Sequence, residues 1–444
     1  MVSEEKILQK VRSLAIKGDK ISQELIHEKN IVPGLRYENG LGVVVGITSK
    51  GQVLGHEEKE GKIIAVDGKL LYCGYDVNKI VGQIETEDRF GFEEIVYLLL
   101  TNELPTKKDL KAFTKMLEKR RKLSRVLKKR LPYNSKNEDV MGALHTIVSA
   151  MYLLNEKPNS TNLDEIILQC IDLIAKFPTI VAYSYLTIKA KGKAKLLPPK
   201  KGLSIAENFL YMLNGKVPDK EVAKIFDLAL ILHAEHGGGN NSTFSTRCVS
   251  SSGANTYMSI CAGIGSLSGH LHGGANEAVI GMMKDVKENV KDWTNEEEIG
   301  EYLNLILEKK AGDKTGKIYG IGHAVYTISD PRVIVFEEKA RMLAKRFGRE
   351  KEFELYQIVA KLAPRIVNEK KGKIVCINVD FYSGFVYEMI GLPKELYTPI
   401  FAMSRVAGWS AHRIEEIIQG KLIRPAYETT INETKKYLSL DERK

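Results

Sequence analysis

His272-Gly273-Gly274-Ala275-Asn276-Glu277 opens directly onto an apolar helical pattern of Ala278, Val279, Ile280, Met282 and Met283. The two glycines remove side chains beside the imidazole, so a ligand can approach ring and backbone together. Asn276 reads as the helix N-cap. His272 then stands just outside a helix N-terminus, where outward-pointing N–H groups favour negative charge and disfavour imidazolium. A neutral imidazole so placed donates a hydrogen bond to a developing oxyanion without first losing a proton. Three other segments have the same character. His323 lies in Gly320-Ile321-Gly322-His323-Ala324-Val325-Tyr326, followed by Asp330-Pro331-Arg332. Asp380 lies in Asn378-Val379-Asp380-Phe381-Tyr382-Ser383-Gly384, and Arg405 in Phe401-Ala402-Met403-Ser404-Arg405-Val406-Ala407-Gly408-Trp409.

A chain of 444 residues is too long for one ordinary core, so two domains are expected. Hydrophobic content of 43% and charged content of 27% are those of a globular protein. The net charge of +10 comes from 66 Lys+Arg against 56 Asp+Glu, and the excess is spread out. Its densest run, Lys119 to Arg130, is broken by Leu123, Val126 and Leu127 at helical spacing and reads as a solvated helix face. Interspersed acids set aside nucleic-acid binding, whereas a modest positive field suits anionic small substrates. The five cysteines, at 73, 170, 248, 261 and 376, form no CxxC pair and read as reduced thiols. No uninterrupted apolar run approaches the ~18 residues of a membrane span, and Met1-Val2-Ser3-Glu4-Glu5-Lys6 lacks a signal pattern. A cytoplasmic protein is expected.

The pattern along the chain is mainly α. Val43–Thr48, Lys62–Val66 and Lys69–Tyr72 read as a small N-terminal β meander. Thr106 and Asn162 read as helix caps, and Phe177-Pro178 as a helix end. Further helices are expected at 222–235, 276–290, 295–309, 331–347, 351–370 and 393–419. Residues 373–379 read as a buried strand. No linker separates two domains, which points to one inserted within the other.

Five of the nine histidines fall between 233 and 323. A zinc cluster of His233, His236, His270, His272 and His323 is disfavoured, because the spacing is not His-Glu-x-x-His and glycines flank the later ones. His236, at a helix end before Gly237-Gly238-Gly239, is the better ligand-facing residue. Gly312 to Lys317 is one residue short of a P-loop and lacks its Ser/Thr. Neither a dinucleotide fingerprint nor a G-x-S-x-G elbow is present. What remains is a set for carbon-acid chemistry. A carboxylate removes a proton beside a carbonyl, neutral imidazoles support the enol oxygen and polarise the acceptor carbonyl, and arginines clamp carboxylates.

Together and in this order, these segments resemble the citrate synthase family over nearly the whole chain, from Tyr72-Cys73-Gly74-Tyr75-Asp76 to Arg424-Pro425. The resemblance implies an all-α, two-domain fold, with a large helical domain of 1–272 and 386–444 and a smaller inserted domain of 273–385. It implies a short segment, rather than a full strand, leading into Asp380. It implies condensation of acetyl-CoA with oxaloacetate by a homodimer, with no cofactor beyond the substrates and no metal. Propionyl-CoA, giving 2-methylcitrate, is the alternative. By the resemblance, Asp380 is the base, His272 supports the enolate and His323 polarises the oxaloacetate carbonyl. His236, Arg332 and Arg405 are further oxaloacetate ligands, and Arg424 reaches the partner subunit's site. Lys317, Ile318, Tyr319, Gly320 and Gly322 lie in the segment that recognises the CoA adenine.

Overall fold

The computed structural model describes residues 4–18, 23–29, 32, 34–37, 39, 41–60, 62–133, 136–430 and 434–443. The chain forms two compact units, Met1–Gly46 with Ile423–Lys444, and Ile47–Leu422. The first holds α1 (Glu4–Gly18), α2 (Gln23–Glu28) and isolated bridges between Val32 and Arg36 and between Arg36 and Gly42. α1 exposes Ile7, Leu8, Val11, Leu14 and Ile16. Arg424, on the C-terminal segment of this unit, is exposed.

The second unit opens with an antiparallel sheet of β1 (Gly51–Lys59), β2 (Lys62–Tyr72) and β3 (Tyr75–Asp76), in that order. The meander is therefore real but differently built. The runs at 62–66 and 69–72 are one strand, and its partner is 51–59 rather than 43–48. Val44 and Ile47 are exposed and their segment joins no ladder. β1 is rich in glycine and charge, which hid it from an apolar-run search.

Among the described residues, sixteen α-helices follow. They begin with α3 (Val77–Thr86), α4 (Phe92–Thr101), α5 (Lys107–Arg120), α6 (Arg125–Lys128), α7 (Val140–Tyr152) and α8 (Leu163–Lys189). Then come α9 (Ile205–Asn214), α10 (Lys220–His233), α11 (Asn241–Ser251), α12 (Thr256–Leu267) and α13 (Ala275–Asn289). The last are α14 (Glu296–Leu307), α15 (Pro331–Phe347), α16 (Glu350–Lys371), α17 (Asp380–Met389) and α18 (Tyr397–Gln419). Thr106 and Asn162 cap α5 and α8 as expected, accepting from Asp109 N and from Asp164 N and Glu165 N.

Three local expectations are corrected. Pro178 does not end a helix but lies inside the 27-residue α8. That helix is held by burial among α5, α7, α9 and α18, which outweighs the one backbone bond a proline forfeits. Its most apolar stretch, with mean hydropathy 1.6, passes a membrane-span test by length and composition, yet 78% of it is buried inside the protein. Asn276 is not an N-cap. α13 starts one residue earlier, and the buried Asn276 side chain donates to Ser383 Oγ on α17. Residues 373–379 form a single bridge, Ile321 with Ile377, rather than a strand.

α4 has no side-chain cap of its own. Asp227 of α10 supplies one, accepting from Gly91 N at 2.7 Å and Phe92 N at 3.2 Å. Burial, and next the charge of Glu93, push this carboxyl well above its usual range. Asp227→Ala leaves two buried N–H groups without their acceptor, a cost of about 1–3 kcal/mol. A clear fall in Tm is expected, with Asp227→Asn falling less because an acceptor oxygen remains. An alanine variant melting with the parent would refute the cap.

Candidate active site

The end of α10 and the turn after it carry His233 and His236. The turn before α13 carries His272, and the loop before α15 carries His323. Arg332 sits at the start of α15, Asp380 is the first residue of α17, and Arg405 lies mid-way along α18. Both arginines are buried, while His236, His272, His323 and Asp380 are partly exposed. The two guanidinium charges are thus enclosed, while the imidazoles and the carboxyl residue keep partial exposure.

His323 Nδ1 accepts from Val325 N and Tyr326 N, each at 3.1 Å. In the neutral ring the proton is therefore on Nε2. That Nε2 lies 3.1 Å from His236 Nε2. His236 accepts there and carries its own proton on Nδ1, which is buried without a protein partner. Burial, and then the charge of Arg332, push His236 well below the usual imidazole range. Tyr326 stacks on His323 at 4.6 Å between centroids and packs edge-on to His236 at 5.6 Å.

His272 Nε2 accepts from Ser242 N at 3.3 Å and lies 2.9 Å from Ser242 Oγ. Its Nδ1 is then the donor edge. Burial first, and the Arg405 charge second, lower its pKa to about 4, so the ring is neutral at pH 7. Burial and Arg405 thus act beside the helix N-terminus that the sequence shows. The flanking glycines also meet a packing requirement. A Cβ at Gly273 would strike the Leu267 carbonyl and the Thr398 methyl, and one at Gly274 would press on His270.

Arg332 is gripped by Asp330, with Nε to Oδ1 at 2.9 Å and Nη2 to Oδ2 at 2.7 Å. Burial opposes its charge, but Asp330 overrides that and raises the guanidinium pKa. Arg405 Nε donates to the His233 carbonyl at 2.7 Å, and the guanidinium lies over the Phe401 ring. Burial lowers its pKa to about 10, leaving it charged at pH 7. Asp380 is raised to about 6, by burial first, with Arg332 and Arg405 pulling down and Asp330 pushing up. It is mostly ionised at pH 7 yet basic enough to take a proton.

The structure thus gathers His236, His272, His323, Arg332, Arg405 and Asp380 around one site, linked by direct contact or by the charges they feel. His233 is not part of the opening, since it is buried with its ring against Phe336 and Phe401. The five histidines do not form a cluster, and no group of three or more metal-ligating side chains occurs among the described residues. Of the expected CoA segment, Lys317 and Tyr319 line a cavity of about 330 Å³ with Met282, Ile306 and Asp313. The Gly320 carbonyl and Gly322 N–H are engaged with Asn378 N and the Cys376 carbonyl. Sequence reasoning missed Ser242, Tyr326, Asp330 and Phe401. Tyr326, Asp330 and Phe401 stand in the quoted motifs, whereas Ser242 carries no local signal.

The family model described as "Citrate synthase, C-terminal domain" matches residues 42–426. This chain belongs to the citrate synthase family. The citrate synthase of Haloferax volcanii is 37% identical over 391 residues, 86% of this chain and 96% of that one. A 2-methylcitrate synthase of Corynebacterium glutamicum is 33% identical over 86% of this chain and 94% of its own. The ternary complex of the Thermoplasma acidophilum citrate synthase with carboxymethyl coenzyme A and oxaloacetate superposes with a TM-score of 0.75. That structure is 28% identical and covers 90% of this chain and 97% of that one. As a citrate synthase family member the chain is an acyl-transferring enzyme, with the mainly α fold expected from its sequence.

The Asp380 shift has a stability consequence. The folded pKa of about 6 exceeds the usual 3.8, so the native state binds the proton more tightly and loses stability as pH rises between those values. Asp380→Asn removes that loss. The variant is expected to be more stable than the parent by about 1–3 kcal/mol above pH 6, with the difference vanishing below pH 4. Thermal melts at pH 4 and pH 8 measure it, and a variant less stable at pH 8 would refute the shift.

Proposed function

We propose that this citrate synthase condenses acetyl-CoA with oxaloacetate and hydrolyses the resulting citryl-CoA to citrate and CoA. The observation that carries the reading is the pair of fixed imidazole tautomers, on His323 and His272, together with a carboxyl raised to about 6 beside Arg332 and Arg405. Arg405 and the edge of Arg332 not held by Asp330 take the oxaloacetate carboxylates. The oxaloacetate carbonyl replaces His236 as acceptor of the His323 Nε2 proton and is polarised by it. Asp380 removes a methyl proton from acetyl-CoA while His272 Nδ1–H donates to the thioester oxygen as it becomes an enolate. The enolate carbon attacks the polarised carbonyl carbon and the new alkoxide takes the His323 Nε2 proton, while the proton gained by Asp380 restores the site's balance. Water then cleaves the thioester, releasing CoA as the thiol.

Residues 273–385 form the smaller domain in this reading and close over the remainder. Ligands come from both sides, His272, His236 and Arg405 from one and His323, Arg332 and Asp380 from the other, so oxaloacetate binds first and closure shields the enolate from water. The apolar cavity beside Lys317 and Tyr319 supports placing the CoA adenine there. The chemistry needs only acids, bases and fixed charges, so neither a metal nor a further cofactor is required. The enzyme acts in the cytoplasm as a homodimer, and the exposed Arg424 completes the partner's site. Propionyl-CoA is the second reading, favoured by the 2-methylcitrate synthase relative. One methylene discriminates by only about 1–3 kcal/mol, so kcat/KM for the two thioesters decides.

Oxaloacetate-dependent release of free thiol from acetyl-CoA is the primary test, and its absence would end the proposal. Asp380→Asn should keep oxaloacetate affinity and lose about 10²–10⁴-fold in turnover. Turnover within about threefold of the parent would remove Asp380 from the base role. Arg424→Ala homodimers should be nearly inactive. Refolding them with Asp380→Asn chains should restore up to about a quarter of parental activity, because one site of each mixed dimer is intact. Mixed dimers with no more activity than either parent would place Arg424 in cis or outside the site.

A further inference from the structure

The hairpin β1–β2 loses its regular register at one place. Leu54 pairs with Lys69, but His56 pairs with Ala65, so Gly55 stands opposite Val66, Asp67 and Gly68. Bulges of this kind re-aim a strand, and a strand glycine marks a close backbone approach. Both glycines here meet the loop that follows His323. A Cβ at Gly55 would lie 2.5 Å from the Val325 carbonyl oxygen and 3.2 Å from Tyr326 Cα. A Cβ at Gly68 would overlap the Ser329 carbonyl oxygen and lie 3.0 Å from Pro331 Cδ. Room, rather than an unusual φ, is what these positions require.

Hydrogen bonds fasten the same contact. Gly68 N donates to Ser329 Oγ at 3.0 Å, and Ser329 Oγ donates to Asp67 Oδ1 at 2.9 Å. The Tyr326 hydroxyl reaches the Lys69 carbonyl at 3.5 Å. The gripped span is short and both its ends are functional. Its first residues, Val325 and Tyr326, donate the two N–H groups that set the His323 tautomer. Its last, Pro331, is followed by Arg332, whose guanidinium Asp330 holds.

We propose that the bulged hairpin is a clamp that fixes residues 325–331 and so aims His323 and Arg332 at the keto acid. Gly55, Gly68, Asp67 and Ser329 are positioning residues in this scheme and do not touch substrate. The proposal rests on the reading that His323 and Arg332 hold oxaloacetate. Loosening the clamp displaces the oxaloacetate ligands and leaves the thioester end of the site alone.

The test is steady-state kinetics on folded, full-length variants. Gly55→Ala and Gly68→Ala should raise KM for oxaloacetate about tenfold and move KM for acetyl-CoA less than about twofold, since an overpacked contact shifts the loop. Ser329→Ala and Asp67→Asn, which remove only the hydrogen bonds, should raise the same KM about threefold. They carry the test if an alanine variant does not fold. Gly82→Ala, where a Cβ meets nothing within 4 Å, is the control and should match the parent. Plain destabilisation lowers the active fraction and hence apparent kcat, without moving one KM against the other. His323→Gln separates the two levels. If it leaves oxaloacetate KM unchanged, the site reading fails and the clamp with it. If it raises that KM while the folded clamp variants stay within about twofold of the parent, the clamp alone is overturned.

Discussion

One buried carboxylate, Asp330, ties the active site to the fold. Its oxygens accept from Arg332 N, Nε and Nη2, and from Val379 N, the residue before Asp380. It is at once the cap of α15, the counter-ion of a buried guanidinium and the anchor of α17. Desolvation works against its charge, yet Arg332 holds it below the usual carboxylate range. A buried pair of this kind is not chiefly a source of stability, because the cost of taking both ions from water offsets their attraction. Its value lies in placement. With Asp330 fixed, the arginine edge, the start of α17 and the loop from His323 are fixed relative to one another.

The electrostatics follow from that frame. Two cations sit in the wall at full burial, where Arg332 has a carboxylate partner and Arg405 has a carbonyl and an aromatic face. Their field and the loss of water keep His236 and His272 neutral, so both act as hydrogen-bonding groups rather than as charges. The same burial raises Asp380, and the two arginines restrain the rise to about 6. Deeper burial without the arginines would leave the carboxyl protonated at pH 7, and full exposure would leave it a weak base. The site is consequently a place where the native state gives up stability for reactivity.

Local chemistry made much of this legible in the sequence. Caps at Thr106 and Asn162 and apolar periodicity are short-range signals, and the structure has those caps and a mainly α fold. The failures share a cause, which is that a distant partner decides the local structure. Gly51–Lys59 is a strand because β2 pairs with it, not because it is apolar. Pro178 stays helical because helices surround it. Asn276 looks like a cap, but Ser383, more than a hundred residues on, claims its side chain. His272 reads as neutral from its helix end, and the structure adds burial and the Arg405 charge, neither of which its own neighbourhood shows. Ser242, which decides the His272 tautomer, gives no sign of this in its own neighbourhood.

The hairpin shows how such distant partners are recruited. Its bulge braces the His323 side of the site, and its first residue braces the His236 side. Gly51 leaves room for the Glu235 carboxylate, to which its Cβ would come within 2.6 Å, and Gly408 of α18 leaves room on the other flank. Between them Glu235 accepts from His412 Nε2 at 3.0 Å, and Arg247 donates to His412 Nδ1 at 2.9 Å. Arg247 in turn pairs with Glu415 and Glu416. Arg247 thus sets the His412 tautomer, His412 holds Glu235, and Glu235 holds the backbone on which His236 stands. A three-stranded sheet in a helical protein contributes little core of its own. What it contributes is glycine positions that admit the backbone after His323 on one side and the Glu235 carboxylate on the other, which a helix with side chains all round cannot supply.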